Sequence, residues 1–302
     1  MIGTVYKSTG SWYKVKLENE KFIDCRLLGK FREKNIKSTN PVCVGDVVKL
    51  NNNKNTPQIE FILDRKNYLI RKSVKLSKQF HIIASNIDIC FLIITVKNPE
   101  TSTMFIDRFL ASTFSYNIDT VLLFNKVDDI SDKEDNTLKT FLATYKSAGY
   151  DCLKISGKKG INIDELKLIM KGKSCVFSGH SGVGKSTLIN RLDSKINIKT
   201  LPISKSNLSG QHTTTFSEMH DLEFGSRIID TPGIKGFGLF DVSKFELKDF
   251  FKEFISVEQC KFNNCLHHNE PGCNVKNLVE NGLISRSRYD NYIQLLEEIQ
   301  NS

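Results

Sequence analysis

The sequence lacks any apolar run long enough to cross a membrane. Its longest apolar stretch, residues 87 to 96, spans ten residues and contains Asp88, whereas a spanning helix needs roughly 18 apolar residues. The first 20 residues are polar and have no apolar core of the kind that a signal peptide carries. We therefore expect a cytoplasmic protein with no membrane partner.

Acidic residues are scarce in one part of the chain only. Residues 1 to 80 contain 17 Lys and Arg against 7 Asp and Glu, so this segment accounts for the net charge of +9. Short β-type runs alternate with polar turns here, a pattern typical of a small β-barrel of the OB type, which often binds nucleic acid. The runs are residues 3–6, 12–17, 22–27, 46–50 and 59–63.

The basic charge is also compatible with a solvated surface that has no partner. Aromatic residues lie between the charged ones, and they fit base stacking and a barrel core equally well. These residues are Tyr6, Trp12, Tyr13, Phe22 and Phe31.

A glycine-rich segment in the middle of the chain fits the phosphate-loop template GxxxxGK[ST] at every required position. A short apolar strand precedes it and a helical run follows, so its amides can meet a phosphate at a helix N-terminus. Lys185 would bring a cation to the outer phosphates, and the Ser186 hydroxyl would ligate Mg²⁺. A glycine-rich turn without a ligand is the alternative. The predicted contacts are Gly179, His180, Ser181, Gly182, Val183, Gly184, Lys185, Ser186 and Thr187.

A second motif, Asn125-Lys126-Val127-Asp128, follows the apolar strand predicted for residues 120–124. A carboxylate at the end of such a strand can accept from N1 and N2 of guanine, an edge that adenine does not offer. Taken alone, these are ordinary turn residues after a strand. The motif predicts guanine recognition when other GTPase elements accompany it. Asn125, Lys126 and Asp128 are the candidate contacts.

Two further elements do accompany it. Asp230-Thr231-Pro232-Gly233 follows a predicted strand and resembles the DxxG element that senses the γ-phosphate, which makes Asp230 and Gly233 candidate contacts. Ser156 lies at the end of another apolar stretch, where GTPases place a backbone contact to the guanine oxygen. The base-reading motif precedes the phosphate loop, the reverse of the usual order. Because a parallel sheet binds nucleotide at the carboxyl ends of its strands whatever the connectivity, the sequence predicts a circularly permuted GTPase that binds GTP or GDP with Mg²⁺.

Three of the eight cysteines cluster near the C-terminal end. With one histidine they offer three thiolates and one imidazole, a full tetrahedral set for one structural Zn²⁺ with no open position for catalysis. The set is Cys260, Cys265, His267 and Cys273. His268 is an alternative ligand, and three buried free cysteines are the alternative to a metal. Residues 289, 292, 293, 296 and 299 recur at helical spacing after the cluster, with Ser285 as the expected N-cap.

The order of these features resembles the bacterial family of ribosome small subunit-dependent GTPase A, or RsgA, over essentially the whole chain. Local matches occur at residues 41–46, 84–88, 106–110 and 210–215 and in the spacing from 260 to 273. The resemblance implies a GTPase that binds the 30S ribosomal subunit and its 16S rRNA late in assembly, and we expect a monomer. It also implies that hydrolysis is faster on the ribosome and that the protein leaves when maturation is complete.

The residue after Gly233 is Ile234, where Ras-type GTPases carry the glutamine that orients water. Isoleucine has no hydrogen-bonding group, so we expect His212, in the segment that resembles switch I, to place the water. His212 and Lys185 are thus the predicted catalytic residues, and an RNA or solvent contact is the alternative for His212. One of three threonines, 213 to 215, is expected to complete the Mg²⁺ shell, and Thr214 stands among the predicted contacts.

The predicted fold is multidomain. It comprises an N-terminal OB-type barrel (1–68), a central α/β P-loop GTPase domain with a mostly parallel, permuted sheet (69–242) and a C-terminal helical zinc-binding domain (243–302). Two other functions stay open: an RNA-binding assembly scaffold with a structural, slowly hydrolysing nucleotide site, and a P-loop kinase. The base-reading motif and DxxG argue against the kinase, whereas Ile234 favours the scaffold.

Overall fold

The computed structural model describes residues 1–28, 40–51, 56–72, 80–196, 217–230 and 242–301. The first described segments form a closed barrel. Its strands are β1 (Ile2–Ser8), β2 (Tyr13–Leu17), β3 (Phe22–Leu27), β4 (Val47–Asn51) and β5 (Gln58–Ile62). They pair in the order β1-β2-β3-β5-β4, and β4 pairs back to β1. Among the described strands of the barrel, β3 and β5 alone pair in parallel, and this connectivity is that of an OB-type barrel.

The barrel strands alternate buried and exposed side chains, as strands with one face on a core do. Tyr13 and Val15 point into the barrel while Lys14 between them is exposed. Of the aromatic residues, Tyr6 and Tyr13 are buried, whereas Trp12 and Phe22 are 41% and 45% exposed. Tyr13 packs in the core of the barrel, whereas Tyr6 packs in the apolar cluster of the central domain. Phe31 lies outside the described residues.

A two-stranded hairpin lies between the barrel and the central domain. It consists of β6 (Tyr68–Lys72) and β7 (Phe80–Ser85), which form a sheet of their own, and Ala84 of β7 makes an isolated bridge to Val44. Next to it, Asn67 donates to the carbonyl oxygens of Ile87 and Asn117.

Six of the described strands form the central sheet. They are β8 (Ile89–Ile94), β9 (Thr120–Phe124), β10 (Asp151–Lys154), β11 (Ser174–Ser178), β12 (Glu218–Leu222) and β13 (Ser226–Asp230). Their order is β10-β9-β8-β11-β13-β12, with every pair parallel except β13 with β12. Strands β8, β9 and β11 are buried along their whole length, as expected for parallel strands covered on both faces.

Helices cover both faces of this sheet. They are α1 (Thr103–Ser115), α2 (Asp132–Ser147), α3 (Ile163–Met170) and α4 (Lys185–Leu192). Leu92 and Ile94 of β8 pack in one cluster with residues of α1 and α2. Phe91 and Ile93, on the opposite face of the same strand, pack with α3 and α4. The central domain is therefore a three-layer α/β sandwich.

The C-terminal module is helical. After a short 3₁₀ helix at Leu247–Phe250 come α5 (Lys252–Ile255), α6 (Asn274–Glu280) and α7 (Arg286–Gln300). Ser285 is the N-cap residue of α7, and Tyr289, Tyr292 and Leu296 are buried on one face of that helix. The expected multidomain fold is confirmed: barrel, mostly parallel α/β domain, and helical module carrying the Cys/His cluster. Across the described ranges, no helix has the length and apolarity that a membrane span needs.

Barrel and central sheet are continuous. Strand β1 pairs antiparallel with β12 through Lys7 and Glu218, so the two form one sheet of 11 strands. The strand that joins the barrel is thus the neighbour of β13, which ends at Asp230.

Candidate functional site

Four sequence motifs lie at one edge of the central sheet. Because β9, β10, β11 and β13 run parallel, their carboxyl ends meet there. Asn125 follows β9, Ser156 follows β10, Gly179 follows β11, and Asp230 ends β13. This edge is where a doubly wound sheet holds a nucleotide.

The phosphate loop needs glycine at two positions for steric reasons. Gly184 has a φ of +96°, and a Cβ on it would lie 2.5 Å from Nδ2 of Asn125. Gly179 lies against β8, where a Cβ would be 2.7 Å from the carbonyl oxygen of Ile93. Any side chain at either position would push the loop away from its neighbours, so the loop is fitted to the base-reading motif as well as to phosphate.

Helix α4 begins directly after the loop, with Gly184 as N-cap and no acidic residue in its first turn. Its positive N-terminal end therefore faces the loop without a competing carboxylate on the helix. Lys185 Nζ lies 4.0 Å from Oδ1 of Asp230. Burial lowers the pKa of Lys185, and the charge of Asp230 acts in the opposite direction. A nearly buried cation next to a switch carboxylate is suited to binding phosphate. Ser186 follows it in the first turn.

The side chains of the base-reading motif hold the phosphate loop in place. Asn125 is buried, and its Nδ2 donates to the carbonyl of Val183 at 2.7 Å. Lys126, in the left-handed region with a φ of 66°, donates to the carbonyls of Gly182 and Asn98. Asp128 is exposed, and its carboxylate has no hydrogen bond or ion pair within the part of the chain that the structure describes. Two residues thus connect loops, and the third is available for a base.

Ser156 builds the third loop of the site. It is fully buried; its Oγ accepts from the amide of Lys159 at 2.9 Å, and its carbonyl accepts from Gly160 at 2.8 Å. Gly157 N donates to Oδ1 of Asn125 at 3.0 Å. Asn125 therefore links the phosphate loop and the Ser156 loop through the two ends of one amide.

The remaining loop residues take different positions. His180 is half-buried, and its ring packs on Phe105 of α1 with centroids 3.8 Å apart. Burial lowers the pKa of His180, which favours the neutral imidazole. Ser181 and Thr187 are exposed, and Val183 is buried. Sequence reasoning missed Phe105, because nothing in a helical pattern signals that one of its residues packs on a phosphate loop.

Several predicted site residues lie outside the described ranges. They are His212, Gly233, Ile234 and the threonines 213 to 215, including Thr214. Their roles stay predictions.

The Cys/His cluster comes together in the C-terminal module. Ligand atoms of Cys260, Cys265, His267 and Cys273 all lie within 4.8 Å of one another. Nδ1 of His267 is 3.3 to 3.6 Å from the three sulfur atoms. A tetrahedral ion with bonds of about 2.3 Å to sulfur and 2.0 Å to nitrogen needs edges of about 3.5 Å, so the donor set fits such an ion.

Two tyrosines of α7 fix the backbone at His267 by hydrogen bonds. Tyr289 and Tyr292 donate to the carbonyls of His267 and Leu266 at 2.7 and 2.6 Å. Burial lowers the pKa of His267 to about 4, which keeps the imidazole neutral as a ligand must be. His268 is not part of the group; its amide donates to Glu270.

Two protein-family models match most of the chain. Residues 2–58 match the RsgA N-terminal domain, and residues 62–240 match the RsgA GTPase.

Curated relatives match over nearly the full length. The small ribosomal subunit biogenesis GTPase RsgA of Flavobacterium psychrophilum is 54% identical, covering 98% of this chain and 93% of the relative. The protein of the same name from Christiangramia forsetii is 55% identical, covering 98% and 96%.

Two solved structures are similar over the whole fold. YjeQ from Thermotoga maritima is 34% identical with a TM-score of 0.83, covering 100% of this chain and 99% of that one. YloQ, a circularly permuted GTPase, is 28% identical with a TM-score of 0.77, covering 99% and 95%. The permuted order read from the motifs is therefore shared with a solved protein.

Proposed function

This chain belongs to the RsgA family of GTPases, and on that premise we propose that it is an assembly factor for the 30S ribosomal subunit. It binds the subunit and its 16S rRNA late in maturation, hydrolyses GTP faster there, and leaves after hydrolysis. The names of the relatives support the partner, since both are biogenesis GTPases of the small subunit. We further propose that the protein is a cytoplasmic monomer.

One observation supports the proposed guanine site: the side-chain amide of Asn125 makes hydrogen bonds to two loops at once. Its nitrogen donates to Val183 of the phosphate loop, and its oxygen accepts from Gly157 of the Ser156 loop. Phosphate and base subsites are thus held at a fixed separation. Asp128 would then accept from the guanine edge.

The remaining roles follow from position. Lys185 would neutralise charge on the outer phosphates, and Ser186 with a switch threonine would hold the Mg²⁺ that neutralises the phosphate oxygens when bound. Asp230 and Gly233 would sense the γ-phosphate. Other backbone contacts would come from residues 179–184, Thr187 and Ser156.

For the water, we propose His212. His212→Ala should retain nucleotide binding and lose most of the ribosome-stimulated turnover. Wild-type single-turnover rates of that variant with saturating 30S subunits would contradict this role.

The surface of the barrel supports an RNA partner. Arg26 lies over the exposed Trp12 ring at 4.2 Å, and Lys14 lies over the exposed Phe22 ring at 5.0 Å. Single-stranded nucleic acid binds surfaces where aromatic rings lie beside cations.

In the C-terminal module, we propose one structural Zn²⁺ at the Cys/His cluster. We also propose that the domain limits lie near residues 68 and 242, as predicted from the sequence.

Release after hydrolysis is tested by measuring the affinity of the protein for purified 30S subunits with GDP and with a non-hydrolysable GTP analogue. We expect tighter binding with the analogue, because the nucleotide would favour one placement of the modules. Equal affinity with both nucleotides would refute nucleotide-controlled release. Lys195→Ala, a change to an exposed surface pair, should behave as wild type.

A further inference from the structure

Arg191, in the last turn of α4, reaches from the phosphate-loop helix to the Ser156 loop. Its Nε donates to the carbonyl of Gly157 at 3.1 Å, and its Nη2 donates to the carbonyl of Lys158 at 2.6 Å. A planar guanidinium can hold two acceptors in one geometry, which a lysine ammonium does not. Two successive carbonyls of the loop are therefore oriented by one side chain.

The loop is also packed tightly on the same helix. A Cβ on Gly157 would lie 3.3 Å from Cα of Leu188. A side chain at this position would crowd the helix, so the backbone of the loop lies close against α4. The packing of Gly157 on Leu188 and the hydrogen bonds from Arg191 therefore both hold the loop against α4.

Fixing a carbonyl also fixes the amide that shares its peptide plane. In a trans peptide the C=O and the following N–H point in opposite directions. The bonds from Arg191 to Gly157 therefore turn the N–H of Lys158 away from α4. The neighbouring amides have partners: Gly157 N donates to Asn125, and Lys159 N and Gly160 N donate to Ser156.

Within the described segments, the amide of Lys158 makes no hydrogen bond. Among the amides of residues 156 to 160, that of Lys158 is thus the one without a protein partner, and Lys158 is exposed, so its N–H is accessible to an acceptor on a ligand. The acceptor that guanine presents and adenine does not is its 6-oxo group. Loss of such a contact separates the two bases more strongly than loss of apolar contact does.

We propose that Arg191 is a positioning residue for guanine recognition, which acts by orienting the Lys158 amide toward the 6-oxo group. The inference rests on the guanine site proposed above. Because α4 also begins with Lys185, one helix would set the geometry of the phosphate subsite at its first turn and of the base subsite at its last.

The test compares three diphosphates. GDP carries both the 6-oxo and the 2-amino group, inosine diphosphate keeps only the 6-oxo group, and 2,6-diaminopurine riboside diphosphate keeps only the 2-amino group. In Arg191→Ala we expect the affinity for GDP and for inosine diphosphate to fall roughly three- to tenfold, the size of one hydrogen bond. The affinity for the diaminopurine analogue should not change, because it has no 6-oxo group.

Two further variants complete the test. Arg191→Lys keeps the charge but not the fork, so its loss should lie between wild type and Arg191→Ala. Lys195→Ala removes a nearby exposed cation that pairs with Glu223 and does not contact the loop, and it should match wild type with all three ligands.

Equal losses for all three diphosphates in Arg191→Ala, or no change in the ratio of GDP to the diaminopurine analogue, would overturn the role of Arg191. If the wild-type protein itself fails to prefer GDP over ADP, the proposed guanine site fails instead. The two failures are therefore distinguishable.

Discussion

Two of the contacts between the GTPase domain and its flanking modules differ in burial. On the C-terminal side, Arg288 of α7 donates to Asp107 of α1 at 2.6 Å and to Glu253 of α5 at 2.7 Å. The side chains of Arg288 and Asp107 are 1% and 0% exposed. Asn291 donates to the second oxygen of Asp107. The centre of this contact is a buried, hydrogen-bonded network.

On the barrel side, the two carboxylates of β12 are partly exposed, although the Lys16 side chain is only 14% exposed. Lys7 pairs with Glu218 at 2.7 Å, with side chains 40% and 34% exposed. Lys16 pairs with Asp221, which also accepts from Tyr6 at 2.8 Å. Burial, followed by the bond to Asp221, raises the pKa of Tyr6 to about 12, so its hydroxyl donates at neutral pH.

The difference indicates where the molecule can rearrange. Breaking a buried pair leaves an uncompensated charge, whereas exposed pairs contribute little and are screened by salt. Buried Asp46 holds the barrel firmly to the hairpin β6–β7, because its carboxylate accepts hydrogen bonds from Arg65 and Ser85. Its contact with β12, next to the strand that ends at Asp230, is the weaker one. We therefore expect nucleotide-dependent movement at the barrel and a C-terminal module that moves with α1.

Metal removal should have the largest effect and should be confined to the C-terminal side. A chelator, or Cys265→Ser, should destabilise this module by several kcal/mol, because binding and folding are coupled at structural zinc sites. Loss of helical circular dichroism would report it, while fluorescence of Trp12, the single tryptophan, should report an unchanged barrel. Cys152→Ser, outside the cluster, is the control. Unchanged helix content after chelation would show that the cluster carries no structural metal.

Arg288→Ala should be the next most severe change. It leaves Asp107 and Glu253 without their cation in the interior, which costs about 3–5 kcal/mol. Urea unfolding followed by circular dichroism measures this loss. Arg286→Ala removes an exposed arginine of the same helix, paired with Asp290, and should change stability by less than about 0.5 kcal/mol. Similar effects of the two variants would contradict the comparison.

Asp221→Asn should have a small effect on the barrel side. It removes the ion pair with Lys16, and we expect a loss of about 1 kcal/mol or less. The Trp12 transition in urea should shift at low salt and shift less at high salt, because exposed charges are screened. A loss as large as that of Arg288→Ala would mean that both contacts are equally fixed.

The pair Lys7 and Glu218 should give the smallest change. Reversing one charge, as in Lys7→Glu, should cost a few tenths of a kcal/mol, and adding Glu218→Lys should restore it. A double-mutant cycle on the Trp12 transition measures the coupling. Coupling above roughly 1 kcal/mol would argue against an easily rearranged contact.

Local sequence signals predicted the strands and motifs, but they did not predict the contacts between residues far apart in the sequence. The strand at Thr120–Phe124 agrees with its prediction residue for residue, because a continuous apolar run bounded by turn residues is a local signal. The Cys/His cluster could also be predicted, because its four residues lie close together in the sequence. The bond between Asp107 and Arg288 joins residues 181 positions apart, and that between Tyr6 and Asp221 joins residues 215 apart.

The same limit applies within the nucleotide site. Motifs identified Asn125, Lys126 and the phosphate loop, but not that the two side chains hold the loop by its carbonyls. Arg191 belongs to no motif; only the packing of α4 on the Ser156 loop brings it to Gly157. Tertiary contact, rather than residue type, decides such roles.

Hydrolysis of GTP titrated with purified 30S subunits, with ATP as the control, tests the central claim most directly. We predict that the rate of GTP hydrolysis rises with 30S concentration to a plateau, that ATP is not hydrolysed, and that phosphate is released without transfer to an acceptor. A rate that does not respond to 30S subunits would contradict the account and would favour an RNA-binding scaffold with a structural nucleotide site.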